Sequence, residues 1–558
     1  MTWTNSFKNA LENPSIAPRY MLNFWGNGAN GFTGYGNLNF SMQSGKVRIG
    51  TDKIQIQGSS VIPGRWNVAL GGFTVPLVGD IRSILPHLQR GMIASLKVDL
   101  GAGYERVAMG GLRGITGTPP KFFLHFTDLI SAFSNTQNLT VDGTNPTSVY
   151  EDIKRGKFTV FSNVGTYSYL TATPGIAPTN VKVNQTSIFV HETGQAGLCK
   201  ITYSAAGTPT TVYFEFTGRS ATSGNAFLTN VSFTGTQVYP EFDASKNILW
   251  SLADINDLVY PLAKLKGYPG FILGKLLLST GAGTNGVLDT LPTDWCLSGG
   301  SVGFAQDMFD YNDVSLMNSY SKTPLGNSML WDLPILEPWT AGLRDFITIA
   351  AKTGQWPVIR QGKLSWRGCW NVDNSPVPPA MDISDSDIIA VNKHEFIAPQ
   401  TSSIYGISSV KYVNVDSQPQ FNSFVRNKSG LYNSRVSSLP ARTEIIRDNS
   451  MVYAGDYLTT AGKNLREDRA DADGRRMQQW DYFTYEKLDL KLQLNAAVLC
   501  PGDLVTITSK YLYGLRQVEN ETYNKTVAMV LSVNFSFDRR LCNVVIAIPS
   551  SPVSGIYV

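Results

Sequence analysis

The sequence predicts a mainly β protein with α+β parts, and three observations lead to this fold class. Charged residues make up 16% of the 558-residue chain, clearly below the average of about 25%. The 51 glycines and the aromatic fraction of 11% are typical of strand-rich domains with many turns. Short apolar runs alternate with Gly and Pro turns along most of the chain, which favours strands over long helices. A chain of this length is too long for one core, so we expect three or four domains.

The first expected domain, residues 1–137, is strand-rich with one small helix. Three of its strands are predicted at Met92–Leu100, Glu105–Leu112 and Phe122–Phe126. The first two flank a Gly-Ala-Gly turn at 101–103 and therefore form a hairpin. A short helix is predicted at Asp80–Gln89, because Asp80 can cap its start and Pro86 limits its length.

Residues 138–248 are rich in Thr, Ser, Asn and Gly, and their short strands predict an inserted small all-β module. These strands are Lys157–Phe161, Ser187–His191, Cys199–Tyr203 and Thr211–Phe216. Four tyrosines of the module are candidates for a sugar-binding surface: Tyr167, Tyr169, Tyr203 and Tyr213. At alternating strand positions, such residues are more often core or cross-strand pairs. Both interpretations stay open at this point.

Residues 249–369 carry most of the predicted helix and are assigned as an α/β domain. Leu249–Lys266 places leucines and an isoleucine at helical spacing, with Pro261 expected to kink or divide the helix. Trp339–Thr353 predicts a second amphipathic helix, ended by Gly354. A hairpin that turns at Gln361-Gly362 is predicted to follow it.

Residues 370–558 return to β structure and form the last expected domain, with strands at its C-terminal end. Tyr485–Leu494 alternates strictly, with leucines at every second position from Leu488, and predicts a half-buried strand. Pro501-Gly-Asp503 predicts a turn between two strands. Thr460–Asp481 is a charged helix candidate that two glycines weaken.

One motif imitates a nucleotide site. Gly281-Ala-Gly283-Thr-Asn-Gly286 has the G-x-G-x-x-G spacing and follows the apolar run Leu276–Leu278. In a dinucleotide-binding fold these glycines open a helix whose amides hold the pyrophosphate. Pro292 follows too soon for a useful helix. We therefore interpret the segment as a glycine-rich turn and predict no cofactor-binding residue.

Catalytic and metal-binding residues are not predicted either. The four histidines (His87, His125, His191 and His394) lack metal-ligand spacing. The Asp468–Gly474 run fails the calcium-loop pattern at positions one and twelve. Neighbouring acids such as Glu151-Asp152, or Asp382, Asp385 and Asp387, are of the type that a glycosidase uses, but carboxylates also lie near one another by chance. The expectation is a protein without catalytic, cofactor-binding or metal-binding residues, and not an enzyme.

The cysteines and the charge distribution limit the other function classes. The five cysteines (Cys199, Cys296, Cys369, Cys500 and Cys542) are far apart, so we expect buried free thiols in a protein made in a reducing cytoplasm. The net charge of +4 contains no basic run, which argues against specific nucleic-acid binding. The N-terminus lacks signal-peptide features, and no apolar run reaches the roughly 18 residues of a membrane helix. Stable membrane insertion is therefore not expected.

With these elements in place, several segments resemble, in chain order, the tail hub family of tailed phages, which includes the hubs of gene transfer agents and contractile baseplates. Val61–Gly79 is similar to the first tube-like domain of siphophage-type hubs, as are the segments that follow it: Ile84–Pro86, Arg90-Gly91, Val107–Gly114 and Gly117–Pro120. Leu277–Pro292 with Trp295 resembles the following α/β segment, and Pro501–Val505 with the terminal strands resembles the second tube-like domain. The 138–248 module matches the family's β insertion more loosely, and residues 413–450 match none of its segments.

The resemblance implies a structural role. Family hubs form homotrimers in which two tube-like β-barrel or sandwich domains per chain build a pseudo-sixfold ring, so a threefold tip meets a sixfold tube. The implied partners are a second and third copy of the chain, a distal tail or tail tube protein, the tape measure protein, and tail tip, fibre or baseplate proteins. Genomic DNA would pass non-specifically through the lumen. The implied location is the virion, at the tail tip or baseplate, after synthesis in the host cytoplasm.

Two other function classes remain open from the sequence. One is a receptor- or glycan-binding tail protein of the fibre or spike type, with the 138–248 module as its binding part. The other is a virion-associated hydrolase. A ring with a central channel favours the hub, an elongated knob favours the fibre, and cleavage of peptidoglycan or polysaccharide favours the hydrolase.

Overall fold

The computed structural model describes residues 3–24, 39–128, 167–231, 253–278, 309–335, 343–397, 485–513 and 522–549, with short gaps inside several of these ranges, and a few short segments elsewhere. Strands predominate in this part of the chain and form several sheets, while its helices are short. The predicted fold class, mainly β with α+β parts, is confirmed.

The N-terminal module begins with helix α1 (Asn5–Leu11), which Thr4 caps by accepting a hydrogen bond from the amide of Phe7. Its strands are β1 (Arg19–Phe24), β2 (Asn39–Ser41), β3 (Val47–Ile49), β4 (Gln55–Ile56), β5 (Ser60–Ile62), β6 (Asn67–Ala69), β7 (Phe73–Gly79), β8 (Ile93–Asp99), β9 (Tyr104–Thr118) and β10 (Lys121–Thr127). The predicted hairpin is β8–β9, and the predicted strand Phe122–Phe126 lies in β10. The hairpin turn is fixed by Asp99, whose Oδ1 accepts hydrogen bonds from the amides of Gly101 and Gly103.

The helix predicted at Asp80–Gln89 is much shorter in the structure. It is one 3-10 turn, Ile81–Ser83, although Asp80 caps it as expected by accepting a hydrogen bond from the amide of Arg82. The short helix predicted over Asp80–Gln89 is therefore present only as this single turn. A proline removes a backbone donor and disfavours helical backbone in the residue before it, so Pro86 leaves room for little more than one turn.

The described residues in the middle of the chain form strands β11 to β22 and three helices. They are β11 (Ser168–Tyr169), β12 (Asn180–Val183), β13 (His191–Glu192), β14 (Gly197–Ala205), β15 (Thr208–Phe216), β16 (Gly218–Thr222), β17 (Asn225–Thr229), β18 (Leu258–Gly267), α2 (Pro269–Leu278), β19 (Val287–Leu288), α3 (Tyr311–Tyr320), β20 (Trp331–Ile335), α4 (Leu343–Lys352), β21 (Gln355–Arg360) and β22 (Lys363–Gly368). Strands β14 and β15 contain the predicted Cys199–Tyr203 and Thr211–Phe216. Of the predicted Ser187–His191, His191 is in β13, Phe189 is in no strand, and the other three residues lie outside the described residues, as does Lys157–Phe161.

The helix predicted at Leu249–Lys266 was wrong, because its second half is strand β18. This strand pairs with β14 over Leu258–Leu262 and with β20 over Ala263–Gly267, so it lies inside one sheet. Pro261 would cost about 3 kcal/mol in a helix interior. Strand pairing with distant segments therefore overrides the local helical spacing, and the sheet crosses the boundary expected at residue 248.

The remaining predictions for residues 249–369 have mixed outcomes. The helix predicted at Trp339–Thr353 is confirmed as α4, and the hairpin at Gln361-Gly362 as β21–β22. The residues Leu276–Leu278 end helix α2. The glycine motif thus follows a helix, whereas a dinucleotide site requires it to follow a strand. Residues 281–286 themselves lie outside the described residues.

The C-terminal part contains β23 (Met381–Ser384), β24 (Ile388–Ile397), β25 (Ser408–Tyr412), β26 (Asn422–Arg426), β27 (Arg442–Ile446), β28 (Val452–Tyr453), β29 (Tyr485–Gln493), β30 (Leu504–Tyr513), β31 (Thr522–Ser536) and β32 (Leu541–Pro549). The strand predicted from Tyr485 is confirmed as β29, and its even-numbered residues from Glu486 to Leu492 are buried. The turn predicted at Pro501-Gly-Asp503 is also present, with Gly502 at a φ of 94°. Most of the helix candidate Thr460–Asp481 lies outside the described residues.

The N-terminal module and the C-terminal module, which comprises β23, β24 and β29–β32, share one strand order. The N-terminal order across the sheet is β4-β7-β10-β9-β8-β1, and the C-terminal order is β24-β29-β32-β31-β30-β23. Strands at matching places also follow one another in the same order along the chain. A 3-10 turn follows both β7 and β29: Ile81–Ser83 and Leu494–Val498. The modules differ in that β1 is antiparallel to β8, whereas β23 is parallel to β30, and in that the N-terminal module has four additional short strands, β2, β3, β5 and β6.

The two modules are joined by strand pairing into a single 16-stranded sheet. Strand β4 pairs with β7 of its own module and with β31 of the C-terminal module, and β5 pairs with β31 as well. Each module keeps its own apolar core, but Phe537, Leu494 and Ala497 of the C-terminal module lie in the N-terminal core. No helix among the described residues is long and apolar enough to cross a membrane.

Candidate functional site at the junction of the two β modules

The residues considered for chemistry are dispersed in the structure. His125 lies between the hydroxyls of Thr74 and Thr116, at 3.2 and 2.7 Å. His394 contacts the buried Glu486 at 2.5 Å. His191 lies in β13, and His87 is outside the described residues. Among the described residues, no group of three or more His, Cys, Asp and Glu is arranged to hold a metal ion.

The acidic residues considered for a glycosidase hold turns and strand ends together. Asp382 accepts a hydrogen bond from the Thr506 hydroxyl at 2.8 Å, and Asp385 accepts one from the amide of Lys510 at 3.0 Å. Asp387 accepts hydrogen bonds from the amide and hydroxyl of Ser384. Glu151 and Asp152 lie outside the described residues.

The tyrosines and cysteines separate into exposed and buried groups. Tyr167 and Tyr169 are exposed, Tyr203 is buried, and the side chain of Tyr213 is outside the described residues. Tyr167 lies 6.1 Å from the ring of Tyr260. Cys199, Cys500 and Cys542 are buried free thiols, whereas Cys296 and Cys369 are outside the described residues.

The two β modules meet at a junction formed by residues far apart in the chain. Gly58, between β4 and β5, lies so close to β31 that an added Cβ would overlap the carbonyl oxygen of Val533. Its amide donates a hydrogen bond to Oδ1 of Asn534 at 2.9 Å. Only glycine allows this approach between the two backbones. The junction is therefore fixed by backbone contact as well as by strand pairing.

A second contact is made by the turn between β31 and β32. Phe537 of this turn is buried against Phe7 of α1, with ring centroids 6.5 Å apart. Arg540 donates hydrogen bonds to the carbonyl oxygens of Ala10 and Ile16. These carbonyls follow helix α1 or belong to its last turn, where helical partners are missing. The C-terminal module thus caps the end of the N-terminal helix.

The hairpin β21–β22 spans both modules. At its turn, Gln361 Oε1 accepts a hydrogen bond from the amide of Trp3 at 3.1 Å. The Trp3 indole donates in turn to the carbonyl oxygen of Arg106 at 2.7 Å. Gln361 and Gly362 have φ of 47° and 72°, the backbone of a tight hairpin turn. This end of the hairpin is bound to the N-terminal module.

The opposite end of the same hairpin carries a buried ion cluster, formed by Arg367, Asp313 and Asp503. The Arg367 guanidinium donates from Nη1 to Asp313 Oδ2 at 2.6 Å and from Nε to Asp503 Oδ1 at 2.7 Å. All three residues are at most 6% exposed. Two further donors reach Asp313: Arg360 Nη1, at 2.9 Å, and the Ser365 hydroxyl. Helix α3, strand β22 and the Pro-Gly-Asp turn therefore meet at one guanidinium group.

The Pro501-Gly-Asp503 turn is shaped to fit this cluster. A Cβ at Gly502 would lie 2.7 Å from Arg367 Cβ, and the Trp356 indole donates to the carbonyl oxygen of Pro501 at 3.3 Å. Asp503 Oδ2 accepts a hydrogen bond from the amide of Cys500 at 2.9 Å. The hairpin therefore acts as a strut between the modules, with its turn on one and its base on the other. We call the hairpin and the ion cluster together the strut.

Sequence reasoning identified the Pro-Gly-Asp turn but missed the ion cluster. Its members are separated by 54 and 136 residues along the chain, so no local spacing connects them. One weak signal existed: Arg367 lies in a strand whose other residues read as buried, and a buried charge requires a partner. Nothing in the sequence indicated that two carboxylates meet it.

This arrangement couples the two modules mechanically. A cleft of about 30 Å³ at the junction, lined by residues that include Trp3, Gly58 and Phe535, is large enough for about one water molecule. The charged groups in the strut are oriented toward one another at hydrogen-bond distances, so they position backbone segments.

The cluster predicts sensitivity to acid. Burial alone would raise the pKa of the Asp313 carboxyl, but the charges of Arg367 and Arg360 outweigh it and hold this pKa below its ordinary value. Stability from such a group is present above the unfolded pKa of about 4 and is lost as the pH falls through the lower folded value. Thermal unfolding followed by near-UV circular dichroism from pH 7 to pH 2 is expected to show Tm falling below about pH 4.

The Asp313→Asn variant is expected to have a lower Tm at pH 7 and a shallower fall in acid. Asp382→Asn is the control, because its exposed carboxylate lies outside the cluster and accepts from the Thr506 hydroxyl. Parallel curves for wild type and Asp313→Asn would contradict the assignment of acid sensitivity to this cluster.

Comparison with known proteins gives distant similarities in structure only. The chain matches no protein-family model and no curated protein sequence. It is similar to a tail protein from Neisseria meningitidis MC58 over 96% of this chain and 98% of the other, with 9% identity and a TM-score of 0.33. It is also similar to the 43 kDa tail protein of prophage MuSo2 from Shewanella oneidensis, over 95% and 98%, with 8% identity and a TM-score of 0.34.

A third similarity is to a chain of the native gene transfer agent virion, covering 47% of this chain and 85% of the other, with 9% identity and a TM-score of 0.17. Similarities at these TM-scores do not assign the chain to a family.

Proposed function

We propose that this chain is a structural protein of a phage tail, and more specifically a tail hub. In this role it forms a homotrimeric ring that joins the tail tube to the distal tip or baseplate and lets DNA pass. It acts in the virion, has no chemistry of its own, and binds a distal tail or tube protein, the tape measure protein and tip, fibre or baseplate proteins.

The observation that carries this proposal is the shared strand order of the two joined modules. Three chains with two such modules each present six similar units in a ring. A ring of this kind can contact a sixfold tube on one side and a threefold tip on the other, because its symmetry is threefold and its surface nearly sixfold.

The strut supports the same proposal. A ring closes only if each unit is held at a fixed angle to the next, and the strut connects the two units of one chain through buried hydrogen bonds. Low overall charge and many aromatic residues suit large permanent interfaces. A net charge of +4 without basic runs suits a lumen that passes DNA without holding it.

The test is the mass and shape of the purified full-length chain. Native mass spectrometry is expected to give three times the 61.1 kDa of one chain, and electron micrographs are expected to show a ring with a central channel. A chain that stays monomeric at every concentration, or an elongated knob, would overturn the hub. Phage lacking the protein are expected to fail in tail assembly, whereas a defect in adsorption alone would favour a fibre.

The second candidate is a receptor- or glycan-binding tail protein. Tyr167 and Tyr169 are exposed, and the ring of Tyr167 lies 6.1 Å from that of Tyr260; exposed aromatic faces are suited to stacking against sugars. The burial of Tyr203 reduces the surface available. Binding of the wild-type chain, but not of a Tyr167→Ala/Tyr169→Ala double variant, to immobilised host polysaccharide would support this function.

A further inference from the structure

Strands β9 and β31 occupy matching places in the two modules and are both 15 residues long. Each has two halves with different neighbours. The first half of β31 pairs with β30 up to Met529, where β32 begins to pair on the other side. The first half of β9 pairs with β8 up to Gly111, where β10 begins to pair. Met529 and Gly111 are therefore equivalent, and both strands extend 7 residues further.

The distal half of β31 is where the modules join. Beyond Met529, the side that faced β30 receives the N-terminal module, with Ser532 paired to Ser60 and Phe535 paired to Ile56. We call residues 530–536 the filled ledge.

The distal half of β9 is the matching surface, residues 112–118, which we call the open ledge. Among the described residues, it pairs with β10 on one side and with no strand on the other. Arg113, Thr116, Gly117 and Thr118 are exposed. A Cβ at Gly114, the equivalent of Ser532, would meet nothing within 4 Å. Counted along the strands from the equivalent residues Gly111 and Met529, Gly117 is the equivalent of Phe535.

Strand β4, which covers the filled ledge, also has a counterpart in the C-terminal module. In the N-terminal module, β4 pairs with β7 and covers the filled ledge. In the C-terminal module, β24 occupies the place of β4 and pairs with β29. It ends the described part of the sheet, and its apolar residues Ile389, Val391 and Phe396 are 52%, 42% and 55% exposed. An exposed apolar edge strand invites pairing unless something covers it.

We propose that β24 of one copy docks on the open ledge of the next copy, repeating between chains the junction that β4 makes with β31 within a chain. This inference rests on the proposed homotrimer and names its contact surfaces. In the described part of the chain, the free strand β24 and the open ledge lie on different modules, so the contact is head to tail. Repetition of such a contact closes into a ring when its rotation allows. A closed ring leaves neither the free strand nor the open ledge exposed.

The first test places a photo-crosslinking benzoylphenylalanine at Phe396 in the full-length chain. After irradiation, mass spectrometry is expected to find a covalent link between the probe and a peptide of residues 104–127 from a second chain. Mixing isotopically light and heavy chains identifies the link as intermolecular. The same probe at the exposed Tyr167 is the control and is not expected to link to this peptide.

The second test compares Gly114→Arg with Gly114→Ala. Both side chains enter space that is open in the single chain, so the Tm of dilute protein should change little. Arginine is expected to obstruct the docked strand and raise the concentration of half-maximal trimer formation at least about tenfold, whereas alanine is expected to leave it unchanged. Phe396→Lys, on the docking strand, is expected to act like Gly114→Arg. The control is Ala221→Arg, an exposed position on β16.

The outcomes separate the two proposals. A wild-type chain that never assembles overturns both the hub and this interface. A wild-type trimer that lacks the Phe396 link and tolerates Gly114→Arg overturns the interface and leaves the hub standing. The link together with loss of trimer in Gly114→Arg and Phe396→Lys supports both.

Discussion

Replacing Arg367 by methionine is expected to produce one of the two largest losses of stability among single substitutions in the described part of the chain. The substitution leaves Asp313 and Asp503 buried without the guanidinium group that they share. Breaking a buried ion pair by removing one partner costs about 3–5 kcal/mol. This loss of stability is expected to lower Tm by several degrees, measured by differential scanning calorimetry.

The matched control is Arg82→Met. Arg82 also pairs with an aspartate, Asp80, at 2.8 Å, but both side chains are exposed, and exposed pairs contribute little. Its Tm is expected to equal that of the wild type. The Tm of Arg367→Lys should lie between those of Arg367→Met and the wild type. Lysine keeps the positive charge but cannot donate to two carboxylates in the geometry of a guanidinium group. If Arg367→Met and Arg82→Met had equal effects, the cluster would not stabilise the strut.

The Gly58→Val substitution is expected to have an effect of similar size through a different mechanism. A Cβ at Gly58 would overlap the carbonyl group of Val533. This obstacle is backbone in the middle of a sheet and cannot move like a flexible side chain. Overpacking costs typically 1–3 kcal/mol and occasionally more. Because the added side chain would force two strands apart, we expect Gly58→Val to lower the free energy of unfolding by about 3 kcal/mol or more. Limited proteolysis of Gly58→Val is then expected to separate the two linked modules.

Gly114→Val in dilute protein is the control for this prediction. Gly114 is also a strand glycine, but open space surrounds its Cβ position, and valine is a better strand former than glycine. Its Tm should match or exceed that of the wild type. Equal losses at Gly58 and Gly114 would mean that glycine is needed for backbone freedom, and not for the close approach of the two modules.

Both predictions concern the angle between the two modules of one chain. If the further inference holds, the junction within a chain and the contact between chains use equivalent strands. A change in the first angle would then prevent the second contact from closing the ring. Variants that loosen the strut should therefore reduce trimer formation without altering any residue at the interface between chains.

Local patterns were sufficient for elements whose partners lie nearby. The alternation from Tyr485 predicted β29 because each second side chain is buried on one face of a sheet. Gln361-Gly362 predicted the turn of β21–β22 because this turn requires positive φ at two consecutive residues. Leu343 and Phe346 belonged to an amphipathic stripe that forms α4.

The same reasoning failed where distant segments decide the structure. Leu258–Gly267 has leucines at helical spacing, yet it is a strand because β14 and β20 offer hydrogen-bonding partners that no local pattern contains. Helix α3 was not predicted, although Asp310 caps it and Asp313 reaches the ion cluster from it. Its composition is mixed, so its position depends on what it packs against.

By itself, the sequence determined the mainly β fold class, three of the turns, and several strands and helices that bury one regular face. These features depend on neighbouring residues, because side-chain period and backbone preference are local properties. Tertiary structure alone decided that two modules share a strand order, that β4 and β31 join them, and that one guanidinium meets two remote carboxylates. Such contacts depend on residues far apart in the chain, and their free energy appears only when packing brings the partners together.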